Sequence, residues 1–445
     1  MRRLTLAAAL ALLAGMALAP YGCGTSQSPA GPTEGGAEAA AMLPDAGEDG
    51  SADAALLGPP DSDGWRPFLG YDPSCSFSVP ATKAALPAPP TWEDCPLAMT
   101  ERPTLVCREV SLLPNGDNVG RAEASMHGTT LLSPIVTSSP FIVPFIVWDI
   151  DGPVRTGFRV NDSACGLFSS LGSVEGNHWV LGVRDSRSGQ YSEYSSGVIA
   201  GTLDGLVPSV AIKFPGKVGP DFAASEVFGI VEQTSGPLQL LDWNDPNKLT
   251  TVTPNGSYAQ NYAFAFGSAL FWAADGNNFG IQKVYLGDGG ARDFIVGGNT
   301  PPAAADLGTD GTDLVWTEGT GGWTDGLPTV LNIMTAPFTT DPASLKPRRL
   351  RSEQTFGFGT TPFVVGCGYA MRGITSAMRI VRLSDGVSWL LNATAHWTWE
   401  TAITINCNEA FIDVIEKPSG RRGKTDAGGL VRVRLDSLGP GIAPD

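Results

Sequence analysis

Histidine is close to missing from this chain: three residues in 445, His127, His178 and His396. None stands in an HExxH or HxH pattern, and no CxxC or Cys/His pair falls at metal spacing. The ligand sets of zinc hydrolases and zinc ribbons are therefore not there, and no metal is expected. There is also no GxSxG elbow, no GxGxxG after a strand and no GxxxxGKS/T, so the sequence implies no dinucleotide, nucleotide or other cofactor. Charge is scarce and one-sided. Lys and Arg number 29 against 45 Asp and Glu, giving a net charge of −16. Nucleic-acid affinity rests on basic side chains neutralising phosphates, and no basic stripe exists to do so. The densest basic run, KPRRLR at 346–351, reads as a solvated strand or loop. Helical periodicity is not sustained anywhere in 65–445. What fills the chain instead is glycine, 55 residues, and proline, 35, around short apolar stretches, which favours many short strands.

Apolar length is concentrated at the start. MRRLTLAAALALLAGMALA has two arginines and then an apolar run from Leu4 to Ala19, the order of an export signal. Two cleavage readings compete in LAPYGCGTSQS. Ala17-Leu18-Ala19 fits the small-x-small rule but would leave Pro20 first. Cutting before Cys23 resembles bacterial lipoprotein processing, with Gly22 in place, while Pro20 and Tyr21 depart from that pattern. The resemblance implies that Cys23 is acylated and holds the chain on a membrane, and Gly24 after it points to the outer membrane. The alternative is a soluble secreted or periplasmic protein. Cysteine parity bears on the choice. Setting Cys23 aside for a lipid leaves Cys75, Cys95, Cys107, Cys165, Cys367 and Cys407, an even set able to form three disulfides in an oxidising compartment.

Domain boundaries follow composition: a signal peptide at 1–22, a tether at 23–64 and a folded domain at 65–445. Between Cys23 and Gly64 stand Glu34, Glu38, Asp45, Glu48, Asp49, Asp53, Asp61 and Asp63, with no Lys, Arg or aromatic residue. Such a segment buries too little apolar surface to offset its ordering entropy and is expected to be a disordered, self-repelling linker. About 41 residues at 5–6 Å × √n give a span on the order of 30–40 Å.

From Trp65 the pattern becomes aromatic, β-branched and glycine-punctuated. FGSALFWAADGNNFGIQKVYLGDGG (266–290) and TDGTDLVWTEGTGGW (309–323) with VLNIMTAPF (330–338) share one order: polar turn, strand with an aromatic near its end, turn, alternating strand. Weaker copies place Leu181, Gly229, Trp272, Trp316, Met371 and Ile412 in equivalent positions, about 41–55 residues apart. That interval suits four-stranded blades. LVWTEG and LFWAAD resemble the YWTD-type strand of β-propeller repeats, with IVWDIDG at 146–152 a looser cousin. The resemblance implies a propeller and no particular activity. The expected fold is an all-β propeller of about seven four-stranded blades, six or eight remaining open, against an irregular pair of β-sandwiches. In this alignment Cys367 and Cys407 occupy nearly corresponding points of successive repeats, which makes them a disulfide candidate. The other four would pair within the N-terminal half.

Chemistry is thin. WDIDG (148–152) and DWNDPN (242–247) cluster Asp and Asn but complete no calcium loop, and turn formation explains both. His178 and His396 each precede a tryptophan and read as structural. In HWTWE (396–400), Trp397 and Trp399 share one strand face. Their indoles suit stacking on a sugar or aromatic ligand with Glu400 as polar partner, or packing between blades. GTGGWTDG (319–326) sets Trp323 in a glycine-rich loop, the preferred single contact residue. Two functions remain. One is a non-enzymatic binding or scaffold lipoprotein of the cell envelope that recognises a protein, peptidoglycan or glycan through propeller loops. The other is a secreted propeller hydrolase or lyase acting on polysaccharide, needing carboxylates such as Glu318, Asp325 and Glu400 to converge. No oligomerisation signal is legible.

Overall fold

Short apolar stretches broken by Gly, Asn and Asp form strands and little else; the only helical turns among the described residues are Pro342–Ser344 and Leu435–Ser437. The computed structural model describes residues 65–67, 76–80, 88–95, 105–112, 125–134, 142–161, 167–185, 195–203, 208–214, 218–224, 228–233, 238–243, 249–252, 264–274, 281–285, 291–295, 304–324, 327–354, 363–374, 377–392, 397–416 and 428–444. All lie in one unit, Ala52–Asp445.

Their strands fall into seven antiparallel sheets. Sheet 1 runs Ser125–His127, Thr130–Pro134, Ile142–Asp149 and Val154–Asn161, and is extended by Ser76–Pro80 and Trp65–Pro67. Sheet 2 is Leu167–Glu175, His178–Asp185, Ser195–Thr202 and Pro208–Phe214; sheet 3 is Val218–Ala224, Phe228–Gln233, Leu238–Asp242 and Leu249–Thr251. Sheet 4 is Phe264–Phe266, Ala269–Ala274, Ile281–Tyr285 and Ala291–Ile295; sheet 5 is Ala304–Thr309, Asp313–Thr324, Leu327–Pro337 and Arg348–Gln354. Sheet 6 is Val364–Gly366, Tyr369–Ile374, Ala377–Arg382 and Ser388–Asn392. Sheet 7 takes Trp397–Ile405, Glu409–Glu416 and Gly428–Arg434 from the end of the chain, then Cys107–Ser111 and Glu93–Asp94 from its beginning.

Each sheet touches the next. The first strands of sheets 1, 2, 3 and 4 follow one another, sheet 4 meets the first strand of sheet 5 through Ile281–Tyr285, and the first strands of sheets 5, 6 and 7 return to that of sheet 1. The result is a closed ring with first strands innermost, the β-propeller class expected from the repeats.

The core lies between sheets. Leu314 and Trp316 face sheet 4 beside Phe271 and Val284, while Val315 and Ile333 face sheet 6 beside Ala370 and Val381. Central strands are thus buried on both faces, and their sequences read as nearly unbroken apolar runs. This corrects one expected equivalence. Ile412 faces sheet 6, as Trp316 faces sheet 4, but Met371 packs on sheet 7 with Ile412 and Trp399. The residue matching Trp316 is Arg372, 1% exposed, with its guanidinium over the Phe363 ring at 5.2 Å. A one-residue slip in a strand reverses the face, and an unbroken apolar run conceals it.

One hydrogen bond recurs at the end of the ring where first strands turn into second strands. The amide after a third strand donates to the carbonyl of that turn: Ile150 to Thr129 at 3.0 Å, and Leu203 to Asn177, Phe338 to Thr312, Leu383 to Gly368 and Leu435 to Asn408, each at 2.8 Å. The first-to-second and third-to-fourth connections therefore share one end of the ring, called here the turn end. The second-to-third hairpins and the connections between sheets project from the other, the hairpin end.

Candidate functional site

Cys23, Cys75 and Cys165 lie outside the described residues, as does His396. The other cysteines pair as Cys95 with Cys107 and Cys367 with Cys407, Cα atoms 5.4 and 5.0 Å apart. The second bridge joins the inner turns of sheets 6 and 7 at the turn end. Cys367 has φ +50 where the turns of other sheets carry Gly128, Gly176 and Gly267. A side chain with a Cβ costs conformational energy there, so the cross-link occupies a position the backbone would give to glycine.

Trp397 and Trp399 share a face, as their spacing dictates, and that face is core. They are 5% and 2% exposed and pack with Met371, Met378, Trp389 and Ile412 between sheets 6 and 7. Gly429 makes room: a Cβ there would come within 2.9 Å of the Trp397 ring. A platform for a ligand needs an open ring face, and neither indole has one; the interblade packing weighed against that role is where they sit. Glu400 lies at a bulge in the same strand, between the pairs Trp399/Val414 and Thr401/Asp413. Its side chain, like that of Trp323, is outside the described residues.

His127 places Nδ1 3.0 Å from Glu175 Oε2, joining the inner strands of sheets 1 and 2, and His178 stacks on Trp243 at 4.7 Å. Asp151 of WDIDG pairs with Arg432 at 2.7 Å, whose guanidinium also lies 3.3 Å from Glu409 and over the Trp92 ring. Gly152 closes a tight turn onto the Asp149 carbonyl. No group of three or more metal-binding side chains occurs among the described residues. Among the described residues Arg351, Glu353 and Arg379 form a buried charged cluster, where both guanidiniums reach one carboxylate oxygen at 3.1 and 3.0 Å. Both arginines also donate to the Ser388 hydroxyl, and Arg351 reaches the Gly386 and Ile442 carbonyls. With its carboxylate held by two cations, this cluster is a latch between sheets 5 and 6.

The feature that departs from the repeat is the central hairpin of sheet 5. Its strands run 12 and 11 residues, whereas the second strands of sheets 4 and 6 have 6 each. GTGGWTDG was expected to be a loop, but residues 319–324 continue the strand, paired through Trp323 with Pro328 and Thr324 with Leu327. A two-residue Asp-Gly connection is the strongest short hairpin signal, and Asp325-Gly326 joins the two strands here. Among the described residues the first strand pairs as far as Ala304 with Glu318, and the fourth as far as Gln354 with Val330. Six residues, about 20 Å of strand at 3.3 Å each, thus run past the described part of the first strand at the hairpin end. At its base Glu318 accepts from Trp316 Nε1 at 2.9 Å. From 293 to 345 the chain holds Asp293, Asp306, Asp310, Asp313, Glu318, Asp325 and Asp341 and no Lys or Arg. Burial, reinforced by Asp310 and opposed by Arg348, raises the Asp313 carboxyl above its ordinary value.

No family model and no curated protein matches the chain. Solved structures do. An oligogalacturonate lyase from Vibrio parahaemolyticus aligns with a TM-score of 0.50 at 8% identity, covering 78% of this chain and 97% of that one. BamB from Moraxella catarrhalis aligns at 0.40 and 10% identity over 74% and 98%. A chain of the mitotic checkpoint complex aligns at 0.43 and 10% over 77% and 97%. The first of these, at the lengths covered, carries the β-propeller fold to this chain and nothing beyond the fold.

Proposed function

We propose that this chain is a non-enzymatic binding or scaffold protein of the bacterial cell envelope, held on the outer membrane by a lipid on Cys23 and recognising its partner at the hairpin end of the ring. The overlong hairpin of sheet 5 carries the reading. Among the described residues its outer part has no flanking strand, and a two-stranded ribbon gains little stability from itself, so contact with something else accounts for its length. The connections that leave the same end support it. SRSGQYSEY (186–194), TPNGSYAQNYA (253–263), DGNNFG (275–280) and TFGFGTTP (355–362) are rich in Tyr, Phe, Ser, Gly, Asn and Thr, the composition of adaptable binding loops. Their conformation lies outside the described residues. At the turn end, by contrast, five of the first-to-second turns among the described residues are closed by a backbone hydrogen bond from the amide after the third strand. Protein, peptidoglycan and glycan remain the candidate partners.

Among the described residues no helix is long and apolar enough to cross a membrane, so the proposed attachment rests on Cys23. Two measurements test the proposal. The N-terminal peptide of the mature protein, produced in a Gram-negative host beside a Cys23→Ser control, is expected to begin at Cys23 and carry acyl chains. An unmodified peptide starting earlier overturns the anchor. Trp323→Ala is expected to fold normally and to lose at least tenfold in capture of envelope material by the immobilised protein; undiminished capture removes the hairpin from the interface.

A further inference from the structure

The turn end carries two features that partner binding at the hairpin end leaves unused. One is charge. KPRRLR (346–351) sets four of the chain's 29 cations in six residues, where the third-to-fourth connection of sheet 5 enters its fourth strand. Arg348 donates to the Leu383 carbonyl at 2.7 Å, and Arg351 belongs to the latch with Glu353 and Arg379. Lys346 and Arg349 are exposed, and their side chains make no ion pair or hydrogen bond among the described residues. Nearby carboxylates are engaged elsewhere: Asp341 accepts from the Ala343 amide and the Ser344 hydroxyl, Asp385 holds Arg382, and Asp313 feels Arg348. The other feature is apolar. Two large apolar side chains are exposed among the described residues, Ile442 at 54% and Val106 at 45%, and both belong to the turn end. Ile442 exchanges backbone hydrogen bonds with Ser388, where the fourth strand of sheet 6 begins. Val106 is held by the Arg434 amide and the Ser437 hydroxyl, where the third strand of sheet 7 ends. Pro440 and Ala443 of the connecting segment are exposed as well. The two features adjoin. Arg351 Nη1 lies 3.4 Å from the Ile442 carbonyl oxygen, and a Cβ on Gly386 would meet the Leu350 carbonyl oxygen at 2.5 Å and Pro444 Cβ at 3.4 Å.

Cations beside exposed apolar groups match the two layers of a lipid surface, anionic headgroups and the acyl boundary beneath them. A soluble polyanion would engage Lys346 and Arg349 but has no use for Ile442 and Val106. Chain direction points the same way. Val154–Asn161 runs from the turn end to the hairpin end, and Ser76–Pro80 pairs antiparallel to it, with Ser76 opposite Asn161. Trp65–Pro67 pairs antiparallel in turn, Trp65 opposite Pro80 and Pro67 opposite Ser78. This strand therefore runs toward the hairpin end, and its N-terminal end faces the turn end. A chain held by a lipid upstream of Trp65 is thus led into the domain from the side that carries the basic and apolar rim. We infer that the turn-end rim of sheets 5 to 7, through Lys346, Arg349, Ile442 and Val106, rests on an anionic lipid surface and turns the hairpin end away from the membrane. The inference rests on the anchor and binding role proposed above and adds to them a second membrane contact that sets orientation.

The full mature chain with Cys23→Ser, which has no acylation site there, isolates this contact. It is expected to sediment at low salt with vesicles of equal parts phosphatidylglycerol and phosphatidylcholine, not with phosphatidylcholine alone, and to be released as salt rises. A cation near an anionic surface is worth about fivefold in partitioning, so Lys346→Gln with Arg349→Gln should weaken it about twentyfold. Ile442→Ser should weaken it at least about threefold through lost apolar contact. Arg159→Gln with Lys213→Gln removes the same charge toward the hairpin end of the fourth strands of sheets 1 and 2 and should leave partitioning unchanged. No sedimentation with the anionic vesicles, or equal loss in the two double variants, overturns the inference. So does binding that is indifferent to Ile442→Ser and fully released by soluble polyglutamate, which would make the rim a site for dissolved polyanions. The anchor is read separately: an acylated N-terminal peptide without vesicle binding by the Cys23→Ser chain keeps the anchor and removes the rim contact, and the converse keeps the rim contact and removes the anchor.

Discussion

At the scale of single residues, the ring is held at its inner seams by atoms that leave no space. A Cβ on Gly366 would stand 2.1 Å from the Ile405 carbonyl oxygen in the neighbouring sheet, with backbone on both sides of the clash. Neither strand can retreat without parting sheets 6 and 7. Gly366→Ala is therefore expected to cost about 3 kcal/mol, the upper part of the overpacking range, in denaturant titration. Gly128→Ala meets nothing within 4 Å and bears only the positive-φ penalty, about 1 kcal/mol. Equal losses would show that the seam yields. Asp313 supplies a pH dependence. Its carboxyl is raised above 3.8, chiefly by burial and then by Asp310. The folded state thus holds the proton more tightly than the unfolded chain, and that stabilisation is complete below 3.8 and lost as pH rises through the higher folded value. Asp313→Asn should match the wild type in melting temperature near pH 3 and exceed it near pH 7. A variant less stable at neutral pH would mean that Arg348 outweighs burial and Asp310.

Elements show which parts of the fold the sequence displays and which it hides. The strand-rich class is plain in the glycine spacing and in LFWAAD and LVWTEG, because turns need specific residues and strands between them are short. The stronger repeat signal lies after the third strand, where Ile150, Leu203, Trp243, Phe338, Leu383 and Leu435 each precede Asp, Asn, Ser or Thr. Five of these residues are the donors of the recurrent turn-end hydrogen bond, so the motif has a geometric cause. Read as isolated calcium-like clusters, WDIDG and DWNDPN conceal it. Burial on both faces was the other obstacle: it erased the alternation that would have set Arg372, not Met371, against Trp316, and it placed Trp397 and Trp399 in the core. Trp399→Ala should cost about 3–5 kcal/mol as a buried large-to-small change. Trp323→Ala, in a ribbon that runs past the described flanking strands, should leave the unfolding midpoint within about 0.5 kcal/mol of wild type. A destabilisation by Trp323→Ala equal to that of Trp399→Ala would place the hairpin within the folded core. The reach of this hairpin was not legible because Gly-Thr-Gly-Gly-Trp has loop composition, and only pairing with Leu327–Leu331 makes it strand.

Across the whole molecule, stability depends on how a linear chain becomes a ring. Sheets 1 to 7 follow one another along the chain, so each seam from sheet 1 to sheet 7 is crossed by the backbone itself. The last seam, from sheet 7 back to sheet 1, is crossed because Cys107–Ser111 lies in sheet 7 while the next described strand, Ser125–His127, begins the strand order of sheet 1. Val110 pairs with Leu430, is 2% exposed and packs with Leu131, Trp148 and Phe411 across that seam. Cys367–Cys407 fastens a seam that the backbone already crosses, reinforced by residues near the end of the chain, where Ile442 exchanges hydrogen bonds with Ser388. The two fasteners should then fail differently. Cys367→Ser with Cys407→Ser frees a 40-residue loop, worth about 4 kcal/mol by chain entropy. Serine keeps a Cβ at the positive φ of position 367, so no backbone strain is returned, and the variant should unfold in one transition at lower denaturant. Val110→Pro removes a ladder donor from a buried strand and loosens the hold of sheet 7 on the strand that precedes Ser125–His127 of sheet 1. It should broaden unfolding and expose amides of both sheets 7 and 1 to exchange before those of sheets 3 to 5. If the disulfide variant opened sheets 6 and 7 to exchange while Val110→Pro unfolded in a single step, the seam that limits the ring would lie at the disulfide, and closure by Cys107–Ser111 would be incidental to its stability.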